Sequence, residues 1–117
     1  MTDRHASPKS MSEAREKAVS LATDMLEGRI SYFEGAHKIL ALRSQIAGID
    51  QDDPDFDAFA LIESETDHLP LEKSKYLWSA SALTRIAPEF SLTEEWAAGF
   101  APRACRNIIE RFAKNDR

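Results

Sequence analysis

Apolar residues recur along the chain at three- and four-residue intervals, interrupted at points rich in Ser, Asp, Gly and Pro. The first stripe comprises Ala14, Ala18, Leu21, Ala22 and Met25 and predicts a helix over residues 11–27. Ser10 and Glu13 precede it at capping-box spacing, in which the hydroxyl accepts an orphaned N–H and the carboxylate reaches back to the cap's own amide. Gly28 supplies a left-handed stop. A second capping box, Ser31 with Glu34, opens a stripe through Phe33, Ala36, Ile39, Leu40 and Leu42, with Gly48 past its end. A helix over 31–47 follows, and its short link to the first predicts an antiparallel hairpin.

Asp53-Pro54 marks a third start, because aspartate caps and proline at the first helical position surrenders an N–H that had no partner. Phe56, Phe59 and Ala60, with Leu61 or Ile62, supply its buried side. The periodicity ends at Ser64-Glu65-Thr66-Asp67-His68-Leu69-Pro70, which is expected to be a structured loop. Leu71, Tyr76, Leu77 and Trp78 suggest a short helix, and Ser79 caps another that Pro88 stops. Ser91 with Glu94 forms a further capping box. It begins a last helix carrying Trp96, Phe100, Ala104, Ile108 and Phe112 at four-residue steps, which places Trp96 in the core. Pro102, with Gly99 nearby, predicts a kink or break in that helix.

The expected protein is all-α, a compact bundle of five or six helices, with residues 1–9 a disordered leader and 10–115 one helical domain. Composition strengthens this expectation, since one Val against 17 Ala, 10 Leu and 8 Ile favours helix over sheet. No apolar run approaches the roughly 20 residues that span a bilayer. The first residues lack the apolar centre of a signal peptide, so a cytoplasmic protein is expected. The lone Cys105 lies in a helical pattern and suits a buried position better than thiol chemistry.

Charge changes the picture more. The formal net charge is −5, which argues against general nucleic-acid binding. Eight of the 20 acids stand between Asp50 and Asp67: Asp50, Asp52, Asp53, Asp55, Asp57, Glu63, Glu65 and Asp67. No Lys or Arg interrupts them, and the rest of the chain, with 12 acids against 15 bases, is positive. Such a concentrated field steers a basic partner, whereas aspartates in a first helical turn also simply complement the helix dipole. Arg43, Arg85, Arg103 and Arg106 are candidate internal partners that would neutralise the acids instead.

The run is not a calcium loop. Counted from Asp53, its sixth position is Ala58 where a glycine is required, and its twelfth is Ser64 where a bidentate glutamate belongs. Two Glu-x-x-His spacings, Glu34 with His37 and Glu65 with His68, match half of a carboxylate-bridged dimetal centre. However, Glu34 already serves a capping box, Glu65 and His68 are not expected in a regular helix, and no obvious buried glutamate completes the set. The four glycines are scattered and no serine sits in a nucleophile elbow, so neither a phosphate loop nor a nucleophilic site is signalled. No cofactor is expected.

Gly28-Arg29-Ile30-Ser31, Glu34-Gly35, Asp53 and Asp55 before Phe56 and Phe59, the Ser64-to-Pro70 string, Trp78 and Ala104-Cys105-Arg106 together resemble a family of small, stand-alone bacterial proteins of unassigned function. The resemblance covers about residues 25–112. By analogy, short acidic proteins of this kind serve as immunity proteins encoded beside secreted toxins. The leading expectation is therefore a protein-binding module that covers a basic toxin domain with its acidic segment and Trp78. The alternatives are a metal protein or enzyme built on Glu34, His37, Glu65 and His68, and a homodimer that uses the aromatic helix as its interface.

Overall fold

The computed structural model describes residues 8–46, 49 and 52–115, and every regular element among them is helical. Five α-helices follow in order: α1 (Pro8–Leu26), α2 (Tyr32–Leu40), α3 (Pro54–Glu65), α4 (Ala80–Ala97) and α5 (Ala101–Asn115). Short 3₁₀ turns occupy Arg43–Gln45 and Glu72–Leu77. Among the described residues no helix is long and apolar enough to cross a membrane. Of the expected leader, residues 1–7 lie outside the described residues, as do Gly48 and Asp50.

Local chemistry sets several boundaries where the sequence places them. Gly28 has φ +77°, the left-handed geometry that ends α1 without a Cβ penalty. Ser31 caps α2 by accepting from the Glu34 N–H at 3.0 Å. Asp53 caps α3, its Oδ1 accepting from the N–H groups of Asp55 (3.0 Å) and Phe56 (3.2 Å). Ser79 caps α4 through the Ala82 N–H at 3.1 Å.

Small side chains build the centre. α1 buries Ala14, Ala18, Ala22 and Met25, while α5 buries Ala101, Ala104, Cys105, Ile108 and Phe112. These two helices make the most extensive pairing in the molecule, as short side chains allow. α2 lies against α1 as the expected hairpin partner. A Cβ on Gly35 would overlap the Met25 side chain, so any larger residue there would force the buried Met25 to move. α3 packs on both α2 and α5, burying Phe56, Phe59 and Ile62. α4 packs mainly on α2 and buries only Ala97.

Several expected boundaries move. α1 begins at Pro8, so Ser10 lies inside its first turn instead of capping it. α2 stops at Leu40, and a 3₁₀ turn carries the chain on to the buried Ile46. α3 continues through Ser64 and Glu65, and the loop starts only at Thr66.

The largest difference concerns the last helices. Pro88 sits inside α4, and the chain breaks at Ala98–Phe100 instead. Pro102 then falls in the first turn of α5, where its missing N–H has no helical partner to lose. The stripe from Trp96 to Phe112 is consequently divided between two helices.

Tertiary contacts explain why α4 runs through Pro88. On its C-terminal side Phe90 meets the Phe33 ring edge-on at 5.3 Å and lies under Lys75 Nζ at 4.9 Å. Glu94, expected to serve its own helix, instead caps α2: Oε1 accepts from the Tyr32 N–H (3.0 Å) and Oε2 from the Phe33 N–H (2.9 Å). Two orphaned amides of one helix are thus satisfied by a side chain of another.

Candidate protein-docking surface

The acidic segment divides into two environments. At the start of α3, Asp53 and Asp55 are each only 8% exposed and face α5. Arg111 grips both: Nη2 stands 2.8 Å from Asp53 Oδ2, and Nη1 stands 3.0 Å from Asp55 Oδ2. Asn107, one helical turn before Arg111, donates to Asp55 Oδ1 at 2.9 Å. Burial by itself pushes the Asp53 carboxyl up, but the Arg111 guanidinium and the two capping N–H groups outweigh it and hold it below its ordinary value. Asp53 and Asp55 therefore act as a cap and an internal ion pair, not as part of a docking face. The neutralising cation, Arg111, lies outside the expected set, while Arg43 stands 5.7 Å over the Phe56 ring.

The remaining described acids are exposed. Asp52 sits in the turn before α3, and Asp57 lies in its first turn. Asp57, Leu61 and Glu65 recur every four residues along the exposed side of α3 and form one stripe. Glu63 Oε2 is 4.0 Å from His37 Nδ1, and Asp67 Oδ1 is 4.0 Å from His68 Nδ1.

The stripe on α3 leads to a shallow depression of about 330 Å³ lined by Glu65, Glu89, Leu92, Thr93 and Trp96. Leu92 is 65% exposed and Trp96 41% exposed, and Leu61 on α3 is 46% exposed. The expectation that Trp96 is a core residue is thus corrected, because the break after Ala97 leaves it on the open side of α4. Its ring packs edge-on against Phe100 at 5.0 Å, which steadies it. Both charged liners are acidic, and no Lys or Arg joins them. Glu89 also pairs with His68 Nε2, tying the loop after α3 to α4. Trp78 is half-buried at the end of the second 3₁₀ turn and is not among the liners.

Sequence reasoning missed Glu89, Leu92 and the exposure of Trp96. The sequence signal was present, since Glu89, Leu92, Thr93 and Trp96 fall on one helical face, but it becomes visible only once α4 is read through Pro88.

The four candidate metal ligands take separate tasks. Glu34 Oε2 accepts from the Glu72 N–H at 2.6 Å. His37 Nε2 meets Thr66 Oγ1 at 3.3 Å, His68 pairs with Glu89, and Glu65 ends α3 at the depression. Among the described residues no group of three or more His, Cys, Asp or Glu is arranged to hold a metal. Dimetal sites project their ligands inward from four helices, whereas Glu65 and His68 here lie exposed at the end of α3 and in the following loop.

Cys105 is buried, and burial pushes its thiol up to about 12. Its Sγ lies 3.9 Å from Met25 Sδ, a packing contact between α5 and α1. No family model, no curated protein and no solved structure matches this chain.

Proposed function

We propose that the chain is a non-enzymatic protein-binding module whose partner presents a large apolar side chain flanked by Lys or Arg. One observation carries this reading: Leu92 and Trp96 stand exposed in a depression whose charged liners, Glu65 and Glu89, are both acidic. Aromatic and aliphatic anchors supply most of the energy in such interfaces, while complementary charge sets the rate of encounter and the choice of partner. The docking face accordingly consists of Asp57, Leu61 and Glu65 on α3 with Glu89, Leu92 and Trp96 on α4. An immunity-type inhibitor that covers a basic cleft of a toxin is the form of this function that the acidic composition favours.

A homodimer through the same face fits less well. A two-fold interface would bring Glu65 and Glu89 of two copies into grooves lined by no basic residue, and like charges oppose that.

Capture of a partner from a source lysate would compare the wild type with Leu92→Ser/Trp96→Ser and with Glu65→Lys/Glu89→Lys. The expected result is one partner retained by the wild type and lost by the serine pair. With that partner purified, the lysine pair associates at least tenfold more slowly at low salt, a difference that shrinks as salt rises. A partner held equally by all three proteins would refute this assignment of the surface.

A further inference from the structure

The α3–α4 surface calls for an exposed apolar side chain accompanied by cations, and the chain itself carries one. Tyr76 and Leu77, at the end of the second 3₁₀ turn, are 81% and 71% exposed, more than any other large hydrophobic side chain among the described residues. Two adjacent large apolar side chains left this open form the kind of patch that marks a contact site.

The charge of this stretch is opposite to that of the α3–α4 surface. From Leu71 to Pro88 stand Lys73, Lys75 and Arg85 against Glu72 alone, in a chain of net charge −5. Lys75 Nζ donates to Glu72 Oε2 at 2.7 Å, which leaves the remainder of the stretch cationic. The depression shows the converse, with Glu65 and Glu89 as its charged liners beside the exposed Leu92 and Trp96.

One chain cannot bring these two surfaces together. Lys75 Nζ lies 4.9 Å over the Phe90 ring, and the turn borders the α4 face that carries Ala87, Phe90 and Glu94. At about 100° per residue, Glu89, Leu92 and Trp96 fall on the opposite face of that helix. Contact between the turn and the depression therefore has to join two molecules.

We propose that the Tyr76–Leu77 turn of one copy docks in the α3–α4 depression of another, with Tyr76 and Leu77 against Leu92 and Trp96 and the cationic stretch facing Glu65 and Glu89. This inference rests on the α3–α4 face being a docking surface and names a second copy as an occupant of it. The contact is head-to-tail. It pairs unlike surfaces, so the like-charge repulsion that opposes a two-fold dimer does not arise, and it leaves one turn and one depression open for further copies.

Sedimentation velocity from micromolar to millimolar concentration, at pH 8 where a histidine is ordinarily neutral, would compare four samples. They are the wild type, Tyr76→Ser/Leu77→Ser, Leu92→Ser/Trp96→Ser, and an equimolar mixture of the two variants. The wild type is expected to gain mass with concentration, at least tenfold less readily in high salt. Each variant alone should remain a monomer, whereas the mixture should form a dimer of one copy each, because one variant keeps the depression and the other keeps the turn. All four side chains are exposed, and a dimer in the mixture itself requires both variants to be folded. A wild type that stays monomeric at the highest concentration would overturn the inference, as would a mixture without dimers or a variant that associates as the wild type does. Such results would leave the docking surface to the lysate capture, where Tyr76→Ser/Leu77→Ser is expected to hold a foreign partner as the wild type does.

Discussion

Asp53 does two jobs with one carboxylate, capping α3 and pairing with Arg111. Its folded pKa lies below the ordinary value, so the stability it contributes is fully present above about pH 4 and disappears as the pH falls through the folded pKa. Asp53→Asn keeps a capping oxygen but removes the charge. It should cost about 1–2 kcal/mol at pH 7, and the gap from wild type should narrow by pH 3 in urea denaturation. A gap independent of pH would mean that the charge is not what Arg111 recognises. Gly35 allows an equally sharp test, because Ala would gain about 1 kcal/mol of helix propensity yet overlap the buried Met25. Overpacking costs about 1–3 kcal/mol, so Gly35→Ala should destabilise the wild type but stabilise the Met25→Ala background. The same sign of effect in both backgrounds would remove Met25 from the explanation.

Caps were the legible part of the elements. Ser31, Asp53 and Ser79 act on amides within three residues, so their spacing predicts their role. Glu94 and Glu34 carry the same spacing signal but spend their carboxylates on amides 61 and 38 residues away in sequence, respectively. Proline misled for a related reason. Pro88 breaks an isolated helix, yet α4 continues because Phe90 and Glu94 anchor its second half on α2. Pro88→Ala should therefore raise stability by about 2 kcal/mol and slow amide exchange across residues 84–92. Lower stability would show that packing depends on the local geometry proline imposes.

At the scale of the whole molecule, α1 and α5 enclose Cys105 at the centre of the packed core. With its thiol pushed to about 12 and buried, it should react with a neutral disulfide reagent only through global unfolding. The labelling rate should then follow the same denaturant dependence as unfolding measured by circular dichroism. Rapid labelling under native conditions would mean that α5 opens on its own. The division of the acidic segment belongs to this scale too. Asp53 and Asp55 meet Arg111 because α3 packs on α5, whereas Glu65, at the other end of α3, meets Glu89 across an open depression. Helical class, three of the caps, the Gly28 stop and a core of small residues were determined by sequence alone, since each depends on neighbours within a few residues. Which acids are neutralised, where the last two helices divide and which aromatic side chain faces solvent were decided only by tertiary structure, because each depends on a partner that the chain brings close only by folding.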